Sequence, residues 1–184
     1  LGSAVSLIAA IIMVQSRSLE RALFPIAVLV KVTPVVAVAP LFVIWFGFGF
    51  IPIVLVAALI TFFSVLVNAI IGLKSVNPGA LEFLQSLNAS KKEIFLFLRV
   101  PSSLPYVFAS FRIAIPLSLI GAFVGEFFGG ARGLGGVIFV AYHNLDMPTS
   151  FAAIIVMAAL GICLTILTMY LEKRVLFWHD SAVR

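Results

Sequence analysis

Charge is scarce in this chain. Of its 184 residues only 10% are Asp, Glu, Lys or Arg, whereas 63% are hydrophobic. A water-soluble domain with this composition would have too little polar surface to cover its core. The scarcity excludes an ordinary soluble fold and predicts a protein of the lipid bilayer.

Residues that carry chemistry are equally few. The one cysteine, Cys163, lies in an apolar run, which excludes a disulfide framework and a thiolate metal site. The two histidines, His143 and His179, are far apart in sequence, so no shared metal site is expected. No Gly-x-x-x-x-Gly-Lys-Ser/Thr loop occurs, so we expect no ATP or other cofactor on this chain. These absences argue against an enzyme.

The chain has twelve Lys and Arg residues, and they form no basic face. Ten lie in the gaps between apolar runs, whereas Lys31 and Arg112 fall within or at the ends of runs. Nucleic acid is therefore not an expected partner. Nine of them fall on one side if the apolar runs alternate across a bilayer: Arg17, Arg21, Lys74, Lys91, Lys92, Arg99, Lys173, Arg174 and Arg184. Arg132 falls on the other. The positive-inside bias predicts that the C-terminus and residues 77–101 are cytoplasmic and that the loop 129–150 faces outward.

Long apolar runs predict an all-α, polytopic transmembrane bundle forming a single domain over residues 1–184. A helix needs about 20 apolar residues to cross the bilayer, and residues 51–73, 105–128 and 151–171 meet that length. Residues 22–50 are long enough but contain three prolines, so they are expected to begin at the interface and enter the membrane near Thr33. Residues 1–15 resemble the end of a truncated span, because the chain begins with Leu1. About five spans are expected.

A polar insert, residues 77–101, separates two of these spans. Asn77 followed by Pro78 predicts a helix start, with the helix covering residues 80–87. Asn88 tolerates a left-handed conformation and is expected to end it. The Ser90-x-x-Glu93 spacing predicts a capping box and a second helix that stops at Arg99, before Pro101. The apolar side chains of the insert either lie on the membrane or pack into a groove of a soluble partner.

The insert resembles the EAA loop of ABC-importer permeases. Glu82, Asn88 and Pro101 have the spacing of that signature, although Asn88 replaces its glycine and Phe83-Leu84 its paired alanines. The resemblance implies that an ATPase-coupling surface is formed by Glu82, Phe83, Leu84, Gln85, Ser86, Asn88, Ala89, Ser90 and Pro101.

Further fragments are similar to permeases for nitrate, sulfonate, taurine, bicarbonate and pyrimidine precursors. They are, in order, Pro40-Leu41, Trp45-Phe46-Gly47-Phe48-Gly49, Phe62-Phe63, Asn68, Gly72-Leu73, Glu126, Gly133-Leu134-Gly135, Glu172 and Trp178. The resemblance implies a multi-pass protein of the bacterial inner membrane that acts as a homodimer. It also implies two kinds of partner, cytoplasmic ATPase subunits that bind the ATP and an extracytoplasmic substrate-binding protein. The substrate would be a small anion, a sulfonate-like solute or a vitamin precursor.

Polar or helix-breaking residues within the predicted spans are candidates for the substrate path or its gate. They are Thr61, Ser64, Asn68, Arg112, Pro116, Ser118 and Glu126. Each has a structural alternative: the small polar residues bond between helices, Pro116 only kinks a helix, and Glu126 reaches the interface or caps the glycine-rich turn. Arg112 either assists an anionic substrate or contacts phosphates or a neighbouring acid. At the level of the whole chain, an ion-coupled secondary transporter and a vitamin-capturing membrane subunit remain as alternatives.

Overall fold

The computed structural model describes residues 1–129 and 133–176, and these residues form helices and no strand. The predicted all-α class is confirmed. In chain order the elements are α1 (Gly2–Gln15), α2 (Arg17–Val32), α3 (Val35–Phe46), α4 (Phe50–Lys74), α5 (Pro78–Ser86), α6 (Lys91–Ile94), a π-helical turn (Phe95–Arg99), α7 (Val100–Gly129), α8 (Gly133–His143) and α9 (Met147–Val175).

Three helical segments of the described chain are long and apolar enough to cross a bilayer. They are Phe50–Lys74, Lys91–Gly129 and Met147–Val175, and they contain the three spans expected from length. A fourth is obtained only if α2 and α3 count as one broken span. Helix α1 has 14 residues, fewer than a crossing requires. The number of five spans therefore stays a prediction.

A 93° bend divides the stretch 22–50 between α2 and α3. Thr33 is extended, with φ −65° and ψ 125°, as is typical of a residue before proline. Its backbone N–H and its hydroxyl both donate to the carbonyl of Leu29, at 3.1 and 2.7 Å, and close the end of α2. The expected change of character near Thr33 coincides with this bend.

Helices α4 and α7 form the central pair, and glycines bring their backbones together. A Cβ at Gly121 would lie 2.5 Å from the Cα of Ala57, and one at Gly125 would lie 2.7 Å from the Cα of Ile53. At the other end of α4, a Cβ at Gly72 would lie 2.8 Å from the Cβ of Tyr106. Small residues of this kind allow the close van der Waals packing that holds helices together in lipid.

Helix α1 also packs against α4. Met13 and Leu66 are fully or almost fully buried in the cluster between them. The hydroxyl of Ser6 donates to the carbonyls of Gly2 and Phe62, at 2.8 and 2.9 Å, so its polar atom is satisfied within the apolar contact.

The prediction that residues 129–150 form a loop is wrong, because they contain the 11-residue helix α8. This helix packs against α7 and α9. Gly135 is buried at this contact, and a Cβ on it would lie only 2.7 Å from the carbonyl oxygen of Phe123. The glycines that suggested a turn instead let an apolar helix lie close to α7. Arg132, used to assign the loop's side, lies outside the described residues.

Replacing Gly121 by alanine should force α4 and α7 apart. Overpacking of this kind destabilises proteins by about 1–3 kcal/mol, so the melting temperature of the full-length protein in detergent should fall. Gly79→Ala is the matched control, because a Cβ there meets only Asn77 Oδ1, at 3.4 Å. Equal melting temperatures for the two variants would contradict the assigned packing.

Candidate functional site

The first helix of the insert begins as predicted. The Asn77 side chain accepts hydrogen bonds from the backbone N–H groups of Gly79 and Ala80, at 2.9 and 3.2 Å, and Pro78 occupies the first helical position. These bonds satisfy donors that would otherwise have no partner at the helix start. Helix α5 then runs to Ser86, one residue short of the predicted end.

Asn88 forms the predicted left-handed turn, with φ 55°. Its N–H donates to the carbonyl of Gln85, at 2.9 Å, and the N–H of Ala89 donates to the carbonyl of Leu84, at 3.0 Å. These bonds close the end of α5 and reverse the chain. Asparagine is one of the few residues besides glycine that adopt this conformation readily.

The predicted capping box at Ser90 is also present. The hydroxyl of Ser90 accepts from the N–H of Glu93, at 3.2 Å, and the Glu93 carboxylate accepts from the N–H of Ser90, at 2.7 Å. Both ends of the reversal between α5 and α6 are therefore closed by local hydrogen bonds.

The predicted end of the second helix at Arg99 is wrong, because one continuous helical segment runs from Lys91 to Gly129. Proline lacks an N–H, and its ring clashes with the carbonyl four residues earlier in a regular α-helix. Here a π-helical turn, Phe95–Arg99, precedes Pro101, and the N–H of Val100 donates to the carbonyl of Phe95. The wider turn accommodates the ring, so Pro101 is incorporated into the helix.

The insert leaves large apolar side chains uncovered. No residue of α5 is buried, and Phe83 and Leu87, one turn apart, are each 63% exposed. Among the other predicted coupling residues, three are half-buried and five are exposed. The half-buried ones are Leu84, Ala89 and Pro101, and the exposed ones are Glu82, Gln85, Ser86, Asn88 and Ser90. We call the exposed side chains of Glu82, Phe83, Gln85, Ser86 and Leu87 the insert surface. It combines a carboxylate with an apolar pair on a rigidly capped helix.

The candidate path residues are not brought together at one place. Thr61 and Ser118 line a cleft of about 220 Å³ between α1, α4 and α7. Ser64 and Asn68 do not line it; the Asn68 amide donates to the Ser64 carbonyl of its own helix, at 2.8 Å. Pro116 lies within α7, which continues through it.

Arg112 is engaged by a partner that the sequence did not reveal. Its Nε and Nη2 atoms each lie 2.6 Å from Oε2 of Glu172, joining α7 to α9. The Glu172 side chain is 7% exposed and that of Arg112 is 40% exposed. An acid and a base in apolar helices are expected to pair, but the two residues are 60 positions apart in sequence.

Glu126 caps the start of α8, which is the structural alternative considered above. Its carboxylate accepts from the N–H of Gly135, at 2.7 Å. Gly133 is left-handed, with φ 78°, and a Cβ on it would overlap this carboxylate. The contact links α7 to α8.

The sequence predicts no function for Lys31. Its ammonium lies 4.7 Å from the ring centroid of Phe63, near the middle of α4, in a cation–π contact. The lysine is exposed, and a charge at this depth in a bilayer is expensive unless water or protein surrounds it.

Comparison with known proteins identifies the family. Residues 2–177 match the model of the binding-protein-dependent transport system inner membrane component. The chain belongs to this family. Its members are membrane components of transport systems rather than enzymes, and multi-pass insertion in an inner membrane agrees with the long apolar helices.

Several permeases are similar to this family member over most of its length. It is 39% identical to the formylaminopyrimidine transport permease protein of Halalkalibacterium halodurans, 37% to the riboflavin transport system permease protein of Chloroflexus aurantiacus and 31% to the taurine transport system permease protein of Escherichia coli. The alignments cover 93%, 90% and 90% of the chain and 68%, 62% and 60% of those relatives. The suspected branch of the family is confirmed. Trp178 and His179 lie outside the described residues.

The turn at Asn88 provides a first test of the insert. Asn88→Val should destabilise the left-handed turn by about 1–2 kcal/mol, whereas Asn88→Gly should preserve it. Hydrogen–deuterium exchange of the full-length protein should be faster over residues 84–90 in the valine variant only. Equal exchange in the two variants would contradict the assigned role of the turn.

The Arg112–Glu172 pair should be strongly coupled. Removing one partner of a buried ion pair destabilises proteins by about 3–5 kcal/mol, and the partial exposure of Arg112 lowers that expectation here. A double-mutant cycle of Arg112→Gln and Glu172→Gln, followed by thermal unfolding, measures the coupling energy. The reference is the more exposed Lys74–Glu20 pair, for which about 0–1 kcal/mol is typical. A coupling energy no larger than this would show that the first pair is not a structural link.

Proposed function

We propose that this chain is the transmembrane permease subunit of an ABC importer. It forms half of the substrate path and is coupled to a separate ATPase through residues 77–101. Membership of a binding-protein-dependent family implies an ATPase and a substrate-binding protein as partners. The observation that carries the coupling role is the uncovered insert surface on a helix with closed ends.

The shape of the insert favours force transmission. Helix α5 is capped by Asn77, and the reversal that follows is closed by Asn88 and Ser90. The insert connects α4 with α7, the two helices whose backbones approach most closely at glycines. A push on the insert surface would therefore act on the central helix pair. Docking into a groove of a soluble ATPase would also cover Phe83 and Leu87, as in other helix-in-groove complexes.

The same proposal assigns the two sides of the membrane. Lys74 precedes the insert, and Lys91 and Lys92 lie within it at the start of α6. Lys173 and Arg174 lie in the last turn of α9. The positive-inside bias then favours a cytoplasmic location for the insert and for the C-terminal end. That location exposes the insert surface to an ATP-hydrolysing partner.

A second copy of the chain would complete the path. Helix α9 contains many exposed apolar side chains, among them Ile155, Ile162 and Ile166, each at least 60% exposed. Lipid or a second subunit would cover such a face, and the family resemblance favours a homodimer around a shared path. Ser64, Asn68 and Ser118 are the polar side chains on α4 and α7 that we propose for its lining.

The substrate is proposed to be a small solute that a binding protein selects. The similar permeases are named for formylaminopyrimidine, riboflavin and taurine transport. Because the charge of Arg112 is offset by Glu172, the helices described here do not supply an anion site through that residue. We therefore assign most of the selectivity to the binding protein, with vitamin precursors and sulfonates as the candidate cargo.

Charge reversal at Glu82 tests the coupling role. Glu82→Lys should place like or unmatched charge at the ATPase contact, and transport per ATP hydrolysed should fall roughly tenfold or more. The measurement is uptake and ATP hydrolysis by the reconstituted transporter in proteoliposomes. Lys173→Glu, a charge reversal near the end of α9, should keep normal coupling.

Two results would contradict the proposal. Normal uptake and stimulated ATP hydrolysis in the Glu82→Lys transporter would remove the insert from the coupling step. Uptake by wild-type vesicles that lack ATPase subunits would instead favour an ion-coupled secondary transporter.

A further inference from the structure

A basic cleft lies where α2 begins and α4 ends. It has a volume of about 430 Å³ and is lined by Arg17, Glu20, Arg21, Phe24, Pro25 and Lys74. Five of these lining residues belong to α2, and the sixth, Lys74, is the last residue of α4. The proposed coupling and path residues do not line this cleft, so it is a separate site.

The charges of the cleft do not balance. Both carboxylate oxygens of Glu20 lie 2.6 Å from the ammonium of Lys74, so the acid is occupied by that cation. Arg17 and Arg21 are exposed, and neither has a carboxylate within 4 Å among residues 1–129 and 133–176. Three cations and one anion leave two guanidinium charges, on residues one helical turn apart.

The cleft lies at the depth of lipid headgroups. Lys74 is the last residue of the membrane-spanning helix α4, and such residues extend to the interface. Helix α2 combines the two arginines with exposed apolar side chains, among them Leu19, Leu23 and Ile26. A helix with cations on one side and apolar residues on another is typical of the membrane interface.

We propose that this cleft binds the phosphate ester of an anionic phospholipid. Guanidinium groups bind phosphate oxygens through paired, charge-assisted hydrogen bonds. Arg17 and Arg21 would hold the phosphate, while Phe24 and Pro25 contact the adjoining glycerol and acyl region. Inorganic phosphate carries the same charged group as the lipid headgroup but has no apolar part to contact Phe24 and Pro25. The cleft therefore favours the lipid.

The bound lipid would brace the base of the insert. Lys74 is three residues before Asn77, where the capped part of the insert begins. A headgroup held between α2 and the end of α4 would therefore join the two helices beside that connection. The lipid-binding claim needs only a membrane location and is independent of the ATPase proposal.

Native mass spectrometry of the full-length protein in a zwitterionic detergent tests this site. Phosphatidylglycerol should bind with at least one tight site, and phosphatidylethanolamine more weakly. Arg17→Gln with Arg21→Gln should weaken phosphatidylglycerol binding by roughly 30-fold, as expected for two interfacial cations. Lys91→Gln with Lys92→Gln removes the same charge from the exposed start of α6 and should leave the tight site intact.

Further arms separate the site from general charge and from a soluble ligand. Arg17→Lys with Arg21→Lys keeps the charge and should retain part of the affinity. A melting temperature equal to that of the wild type without lipid would confirm that the Arg17→Gln, Arg21→Gln variant is folded. If that variant misfolds, the Arg17→Lys, Arg21→Lys variant is used in its place. The lysine variant must then bind phosphatidylglycerol more weakly than the wild type. Equal binding of the two lipids, equal loss in both glutamine variants, or displacement of the lipid by an equal concentration of inorganic phosphate would overturn the proposal.

Discussion

The close approach of α4 and α7 is the constraint on which the rest of the fold depends. Gly121 and Gly125 leave room for the backbone at Ala57 and Ile53, and Gly72 does the same beside Tyr106. The two helices are thus in contact near both of their ends. Because lipid offers no hydrophobic driving force between helices, this contact relies on close packing of small residues. Helix α1 packs on α4, and α8 and α9 pack on α7.

The insert is proposed to act on α4 and α7 because it connects these two helices. It leaves α4 at Lys74 and returns as the helical segment that begins at Lys91 and continues into α7. Side-chain caps and the Asn88 turn close its helix ends with local hydrogen bonds, and no residue of α5 is buried against the bundle. This leaves Phe83 and Leu87 free for a partner. The Arg112–Glu172 and Glu126–Gly135 contacts connect α7 to the helices that follow it.

Features that depend on neighbouring residues were predictable from sequence, and features that depend on distant ones were not. The caps at Asn77 and Ser90 involve residues at most three positions apart. The helix end expected at Arg99 was wrong because proline's effect depends on whether a π-turn forms before it. The Arg112–Glu172 pair spans 60 positions and requires knowledge of how α7 meets α9. Helix α8 was missed because its glycines also suit a turn.

The central claim is that the insert surface docks on an ATP-hydrolysing subunit. A photo-reactive amino acid at position 83 in intact cells, with the cross-linked partner identified by mass spectrometry, tests this most directly. Position 155 on the exposed face of α9 serves as the control. The account predicts that position 83 cross-links to a nucleotide-binding subunit and position 155 does not. Cross-links from position 83 to lipid or to an extracytoplasmic protein alone would contradict it.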